Sequence, residues 1–165
     1  MNFNLILSKL GISAQITQDV SLIIFTVLIS FVYGMLLGKH KLMTVLVNIY
    51  ISFAIITVIP ANLIMNASTK ILVFLSILVG LTIMSRRFFD ITFSGAGSAF
   101  IWRVFLISFL EIGLILSIIL SLMTKKEALS YISSNAYYYL VTGWAPLIWM
   151  SLPLAFMFFV YRKGR

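Results

Sequence analysis

Residues 100–123 read FIWRVFLISFLEIGLILSIILSLM, and only Arg103 and Glu111 in this run are charged. About 20 apolar residues in a helix cross the hydrocarbon core of a bilayer. Because lipid offers no partners for backbone polar groups, such a segment must close its own hydrogen bonds as a helix. The run therefore predicts a membrane-spanning helix with one acidic residue at its middle.

Four further apolar runs occupy much of the remaining chain, over residues 20–38, 42–65, 71–87 and 144–161. The third is the shortest, because its apolar part ends at Ser85, and it spans only if its polar ends reach the headgroups. Of the 165 residues, 62% are hydrophobic and 10% are charged, whereas roughly a quarter of a soluble domain is charged. We predict an all-α, polytopic integral membrane protein, a single membrane domain over residues 1–165 with about five transmembrane helices.

Two other segments are predicted to form helices at the membrane surface. Residues 1–17 alternate Leu and Ile with polar residues, which favours an N-terminal amphipathic helix at the interface. Residues 128–139 mix polar and aromatic side chains and predict one short surface or re-entrant helix before the last span.

The basic residues predict the orientation, because cytoplasmic loops hold an excess of Lys and Arg. With five spans, one side receives Lys39, Lys41, Arg86, Arg87, Arg103, Arg162, Lys163 and Arg165, and the other receives Lys9, Lys70, Lys125 and Lys126. We predict a multi-pass membrane protein with its N-terminus outside and its C-terminus in the cytoplasm. The net charge of +8 is scattered over the ends of apolar runs, which argues against nucleic acid as a partner.

An aromatic group lies just before the last span and at its start, formed by Tyr137, Tyr138, Tyr139 and Trp144. In the predicted topology these side chains lie on the outer side, where amphipathic rings settle at the level of the headgroups. Anchoring in the lipid bilayer is the predicted role. The alternative is binding of a partner or a lipid headgroup, to which Tyr131, Ile132 and Trp149 of the same segment would contribute.

Glu111 is the strongest candidate for a functional residue. An acidic residue at mid-helix costs roughly 2.5 to 3.5 kcal/mol on insertion scales, so its side chain needs a polar contact inside the bundle. Ser108 lies one turn earlier on the same face, and Asn48, Tyr50 and Ser52 of the second span are candidate donors. Two interpretations stay open: an intramembrane proton or cation site, or a neutral acid that holds two helices together.

Enzymatic chemistry is not predicted. The chain has no cysteine, which excludes thiol nucleophiles and disulfides. Ser98 and the single histidine, His40, fall in predicted connections rather than buried together as a protease pair, and Asp19 and Asp90 are predicted on opposite sides of the membrane. One histidine and four scattered acids do not form a metal-ligand set. We predict no metal, no cofactor and no enzyme activity.

The order of features resembles the colicin V production protein (CvpA) family of small bacterial inner-membrane proteins. The resemblance covers roughly residues 20–150. It rests on Gly34 to Lys41 followed directly by the second span, on a third span ending in Arg86 and Arg87, and on the small-residue run 94–98 before Arg103. Residues 129–149 are similar to a short outer helix of such proteins. The resemblance implies a non-enzymatic accessory protein of the bacterial cytoplasmic (inner) membrane, linked to export or envelope maintenance, and it implies no catalytic residue.

These observations lead to two hypotheses about function. The first is a membrane accessory or scaffold protein that packs against a membrane-protein partner or forms a homo-oligomer. The alternative is a small transporter or channel subunit in which Glu111 titrates, and a pore-forming, holin-like protein is a more distant third hypothesis.

Overall fold

The computed structural model describes residues 14–60, 66–85 and 98–162, and in these ranges the chain is helical with no strand. Six helices follow one another: α1 (Ala14–Val58), α2 (Ala67–Ser85), α3 (Ser98–Leu122), α4 (Lys125–Tyr131), α5 (Ser134–Val141) and α6 (Ala145–Arg162). Helix α3 is central, because it packs against α1, α2, α5 and α6. The prediction of an all-α fold is confirmed for the described residues.

Two separate helices are predicted for the first two spans, but the structure has one continuous helix there, α1, of 45 residues. It nevertheless folds back on itself. Gly34 lies against Ser108, while Tyr50 donates to the carbonyl of Met150, the residue that follows Trp149. The ring of Trp149 packs on Gly113, which is only about 7.5 Å along α3 from Ser108. Gly34 and Tyr50 thus contact neighbouring parts of the bundle, although a straight helix would carry Tyr50 about 24 Å beyond Gly34. The two halves of α1 therefore run in opposite directions along α3.

Four stretches are long and apolar enough to cross a membrane: Ile16–Leu36, Lys41–Val58, Ala67–Ser85 and Trp102–Leu122. Helices α5 and α6 meet at a bend of 57°, and they supply a fifth such stretch if the pair is counted as one span. The turn between them uses Gly143, whose φ of 61° lies in the left-handed region that favours glycine.

Several helix ends differ from their predicted positions. The predicted second span reaches residue 65, but α1 ends at Val58, and the residue before Pro60 is disfavoured in a helical conformation. Helix α2 begins at Ala67 rather than at residue 71, so that Lys70 lies inside it. Residues 1–13 of the predicted amphipathic helix lie outside the described residues, as do Arg86, Arg87, Asp90 and residues 94–97 of the small-residue run.

The predicted single surface helix over residues 128–139 is wrong, because this region forms two helices. Thr124 and Glu127 close a capping box that starts α4, and Ile132 is extended. Ser133 is the N-cap of α5, where its hydroxyl accepts from the amide of Ala136. Two N-terminal caps so close together divide the segment, since each cap fixes a new helix start.

The larger core cluster joins the second half of α1 to α2 and α3. Its buried members are Val45, Leu46, Ile49, Ile56, Phe74, Leu78, Leu114 and Ile118. A smaller cluster, formed by Leu120, Ala128, Ile132 and Leu140, lies where α3 meets α4 and α5. Large apolar side chains also cover the outside of the bundle; Phe25 is 65% exposed and Leu36 is 79% exposed. The outer surface is thus strongly apolar, unlike that of a water-soluble bundle, which carries a polar face.

Candidate functional site

Glu111 lies on the face of α3 that packs inside the bundle, and its side chain is fully buried. The hydroxyl of Tyr33, on the first half of α1, donates to Oε2 of Glu111 across 2.9 Å. This bond joins residues that are 78 positions apart in the chain. It is a polar contact between α1 and α3 in surroundings that are otherwise largely apolar.

The close approach of α1 to α3 depends on a glycine next to Tyr33. A Cβ atom placed on Gly34 would lie 2.7 Å from Oγ of Ser108 and 3.4 Å from the side chain of Val104. Because Gly34 has no side chain, the backbones of the two helices approach closely enough for the phenol of Tyr33 to reach Glu111.

Two polar atoms beside this contact are buried without a hydrogen-bond partner. They are Oε1 of Glu111 and Oγ of Ser108. Among the described residues, no Lys or Arg forms an ion pair with Glu111. An isolated buried charge is expensive unless it is paired. The arrangement thus provides one donor for a buried acid and leaves hydrogen-bonding capacity beside it.

A second polar group lies between the second half of α1 and α2. The side-chain amide of Asn48 donates to Oγ1 of Thr82 across 3.4 Å, and the hydroxyl of Ser85 donates to Oδ1 of Asn48 across 3.3 Å. Ser52 donates to the carbonyl of Asn48 within its own helix, at 2.7 Å. No hydrogen bond between described residues links this group to Glu111.

The donor to Glu111 is therefore not one of the three that the sequence proposed. The side chain of Asn48 donates to Thr82, and that of Ser52 donates to the carbonyl of Asn48. The hydroxyl of Tyr50 donates to the carbonyl of Met150 at 2.5 Å. Sequence reasoning missed Tyr33. The available signal was a tyrosine followed by a glycine inside an otherwise apolar run, which is typical of a close helix crossing that contains one polar donor.

The structure describes the placement of only some of the predicted cytoplasmic basic residues. Arg103 is half-buried on α3, eight residues before Glu111 and thus about 12 Å away along the helix. Lys41 is exposed and Lys39 belongs to α1, while Arg86 and Arg87 lie outside the described residues.

The predicted aromatic surface is largely on the outside of the bundle. Tyr138, Tyr139 and Trp144 are exposed, whereas Tyr137 packs against the smaller core cluster. The rings of Tyr138 and Tyr139 meet edge to face, with centroids 5.7 Å apart. Trp149, which the sequence places in the same aromatic segment, is partly buried, and its Nε1 donates to the carbonyl of Tyr139 at 3.0 Å.

A groove of about 530 Å³ lies between the first half of α1, α3, α5 and α6. Polar residues stand at one end, where Asp19 accepts a hydrogen bond from the hydroxyl of Ser133. The rest of the wall is mainly apolar and includes Leu22, Ile23, Phe109, Gly113, Leu116, Leu140 and Trp149. The sequence did not predict this groove, because its walls come from four separate helices.

Within the described residues, no group of three His, Cys, Asp or Glu side chains is placed to hold a metal ion. No known protein family, curated protein or solved structure matches the chain.

Proposed function

We propose that the protein is a non-enzymatic accessory or scaffold protein of the bacterial cytoplasmic membrane, linked to export or envelope maintenance. Its apolar helices lie in the bilayer, with the N-terminus outside and the C-terminus in the cytoplasm. This is also the role that the resemblance to the CvpA family implies. A membrane-protein partner or a second copy of the chain is the proposed interactor.

The buried contact between Tyr33 and Glu111 is the observation that carries this proposal. An acid enclosed by α1 and α3 and bonded to one phenol acts as a structural link between two helices. Transport through a membrane protein usually relies on a series of polar groups along a route. The polar group around Asn48 has no hydrogen bond to Glu111 in the described residues, which favours a structural role over a conducting one.

Embedding in lipid is supported by the apolar outer surface and by the length of the helices. Five crossings place the two ends of the chain on opposite sides, provided that α5 and α6 together make one crossing. A reporter fused after Arg165 should then be active only in the cytoplasm. A periplasmic signal would contradict the proposed orientation, and a monodisperse protein that stays soluble without detergent would contradict membrane embedding.

A specific observation favours the alternative, a small transporter or channel subunit. Oε1 of Glu111 and Oγ of Ser108 are both buried without partners, three residues apart on one face of α3, and they offer oxygen atoms to a proton or a small cation. In that case Glu111 would change its protonation during each transport cycle.

Replacing Glu111 with Gln separates the two functions. Gln keeps an oxygen that accepts from Tyr33 but cannot titrate. We expect E111Q to fold normally and to leave ion flux into reconstituted vesicles at the level of the wild type. The matched control is E127Q, which removes an exposed acid outside the bundle. A pH-dependent flux that disappears in E111Q and persists in E127Q would overturn the accessory role and assign the protein to transport.

A further inference from the structure

The groove between α1, α3, α5 and α6 has the two-part character of a site for an amphiphile. Its polar end presents the carboxylate of Asp19 and the exposed side chain of Asn135. Its largely apolar part continues along α1 from Leu22 to Thr26, about one turn of helix, where the hydroxyl of Thr26 is bonded to the carbonyl of Leu22, and along α3 from Leu116 to Phe109. Its volume of about 530 Å³ lies within the range of roughly 300 to 1,000 Å³ that ligand sites occupy.

The chemistry of the polar end selects one class of headgroup. Ser133 donates to Oδ1 of Asp19, and a carboxylate has a second oxygen that accepts further hydrogen bonds. A primary ammonium group satisfies a carboxylate better than a neutral hydroxyl, because a charge-assisted hydrogen bond is about twice as strong as a neutral one. The side-chain amide of Asn135 adds donors for a phosphate oxygen at the same end.

We propose that this groove binds an ethanolamine phospholipid taken from the surrounding bilayer. The ammonium group bonds to Asp19, and one acyl chain lies along Leu22 and Leu116 toward Phe109. The proposal rests on the membrane embedding proposed above, and it adds a specific lipid ligand to the accessory role. The bound lipid would join α1 to α5 at the same place as the bond between Asp19 and Ser133.

Trp149 lines the groove and provides the readout. A variant with Trp102→Phe and Trp144→Phe keeps Trp149 as its single tryptophan. The purified full-length chain in detergent micelles is titrated with phosphatidylethanolamine or phosphatidylglycerol, each brominated on its acyl chains. We expect the ethanolamine lipid to quench Trp149 at about tenfold lower concentration than the glycerol lipid, which corresponds to one charge-assisted contact.

Two groove variants and one matched control test the assignment. Asp19→Asn keeps an oxygen that accepts from Ser133 but removes the charge. In this variant the two lipids should quench Trp149 at equal concentrations. Ala136→Leu narrows the groove and keeps α5 helical, because Leu is nearly as good a helix former as Ala. It should weaken the binding of both lipids. Glu127→Gln removes an acid that does not line the groove, and Gln also serves in a capping box, so this variant should behave like the wild type.

Other outcomes would overturn the proposal. Equal quenching by both lipids in the parent variant, unaffected by Asp19→Asn, would show unselective contact with bulk lipid. If the full-length chain shows no quenching and quenching appears only after removal of residues 1–13, the groove would be assigned to the chain's own N-terminal segment. Either result is compatible with a detergent-requiring protein, so it is distinguishable from failure of membrane embedding.

Discussion

The six-membered ring of Trp149 fills the space where a side chain at Gly113 would lie. A Cβ atom on Gly113 would be 2.1 Å from Cζ3 of Trp149 and 2.7 Å from Cη2. Trp149 is also fixed at its other end, since Nε1 donates to the carbonyl of Tyr139. This one side chain thereby joins α6 to both α3 and α5 and forms a wall of the groove.

Gly113→Ala should destabilise the fold by about 1–3 kcal/mol, because the ring of Trp149 must leave its site or α6 must move away from α3. Thermal unfolding in detergent and tryptophan fluorescence measure the effect. Gly80→Ala is the matched control: a Cβ there meets nothing within 4 Å, so the substitution should be neutral or stabilise α2 by about 0.5–1 kcal/mol. Equal effects of the two substitutions would contradict the contact between Gly113 and Trp149.

Tyr33→Phe should destabilise the bundle by about 1–3 kcal/mol, because Glu111 stays buried and loses its donor. The double variant Tyr33→Phe with Glu111→Leu should recover much of this loss, since it removes the stranded acid as well. Ser117→Ala provides the control, because the hydroxyl of Ser117 donates to the carbonyl of Leu140 and lies about 9 Å along α3 from Glu111. Its effect should add to that of Glu111→Leu within about 0.5 kcal/mol. Additive effects in the Tyr33 cycle as well would exclude the proposed link.

Gly34→Ala should be harmful only while Ser108 keeps its hydroxyl. The new Cβ would lie 2.7 Å from that oxygen and force the hydroxyl, which has no hydrogen-bond partner, out of its rotamer, so the single variant is expected to lose about 0.5–1.5 kcal/mol of stability. Adding Ser108→Ala removes the closest atom and leaves contacts of 3.4 Å, which are ordinary. The double variant should therefore unfold at or above the temperature of the wild type, whereas a persistent loss would place the strain elsewhere.

Membrane-length helices were predictable because their signal is local. Helix α3 spans Ser98–Leu122, which agrees within two residues with the predicted run of 100–123. The agreement follows because the apolar residues continue along the whole helix. Helix α2 begins earlier than predicted. Its first turn contains the polar residues Ser68, Thr69 and Lys70, so the apolar pattern starts only after that turn. The break between α4 and α5 depends on capping by Ser133, which a mixed polar and aromatic composition does not reveal.

The candidate site was predictable only in part. Glu111 stands out because a charge at the middle of an apolar run is expensive, and the structure buries it completely. Its donor could not be chosen from the sequence, because both Tyr33 and Tyr50 are phenols in α1. The fold-back of α1 decides between them, since it places Tyr33 against Glu111 and turns Tyr50 toward Met150.

The start of α4 should depend on pH through Glu127. Its Oε2 accepts from the hydroxyl and from the amide of Thr124, at 2.7 and 2.9 Å, and these bonds, the hydroxyl first, hold the pKa of Glu127 below its ordinary value. A lowered pKa in the folded state means that the stabilisation is complete above the ordinary value of about 4.3, and that it is lost as the pH falls through the folded value.

Hydrogen exchange of the Ala128 amide, which donates to the carbonyl of Thr124 at 2.9 Å, reports this first turn. After correction for intrinsic exchange, its protection should fall in acid in the wild type and stay flat in Glu127→Gln, because Gln keeps the cap without titrating. The same acid dependence in both proteins would show that another group controls the start of α4.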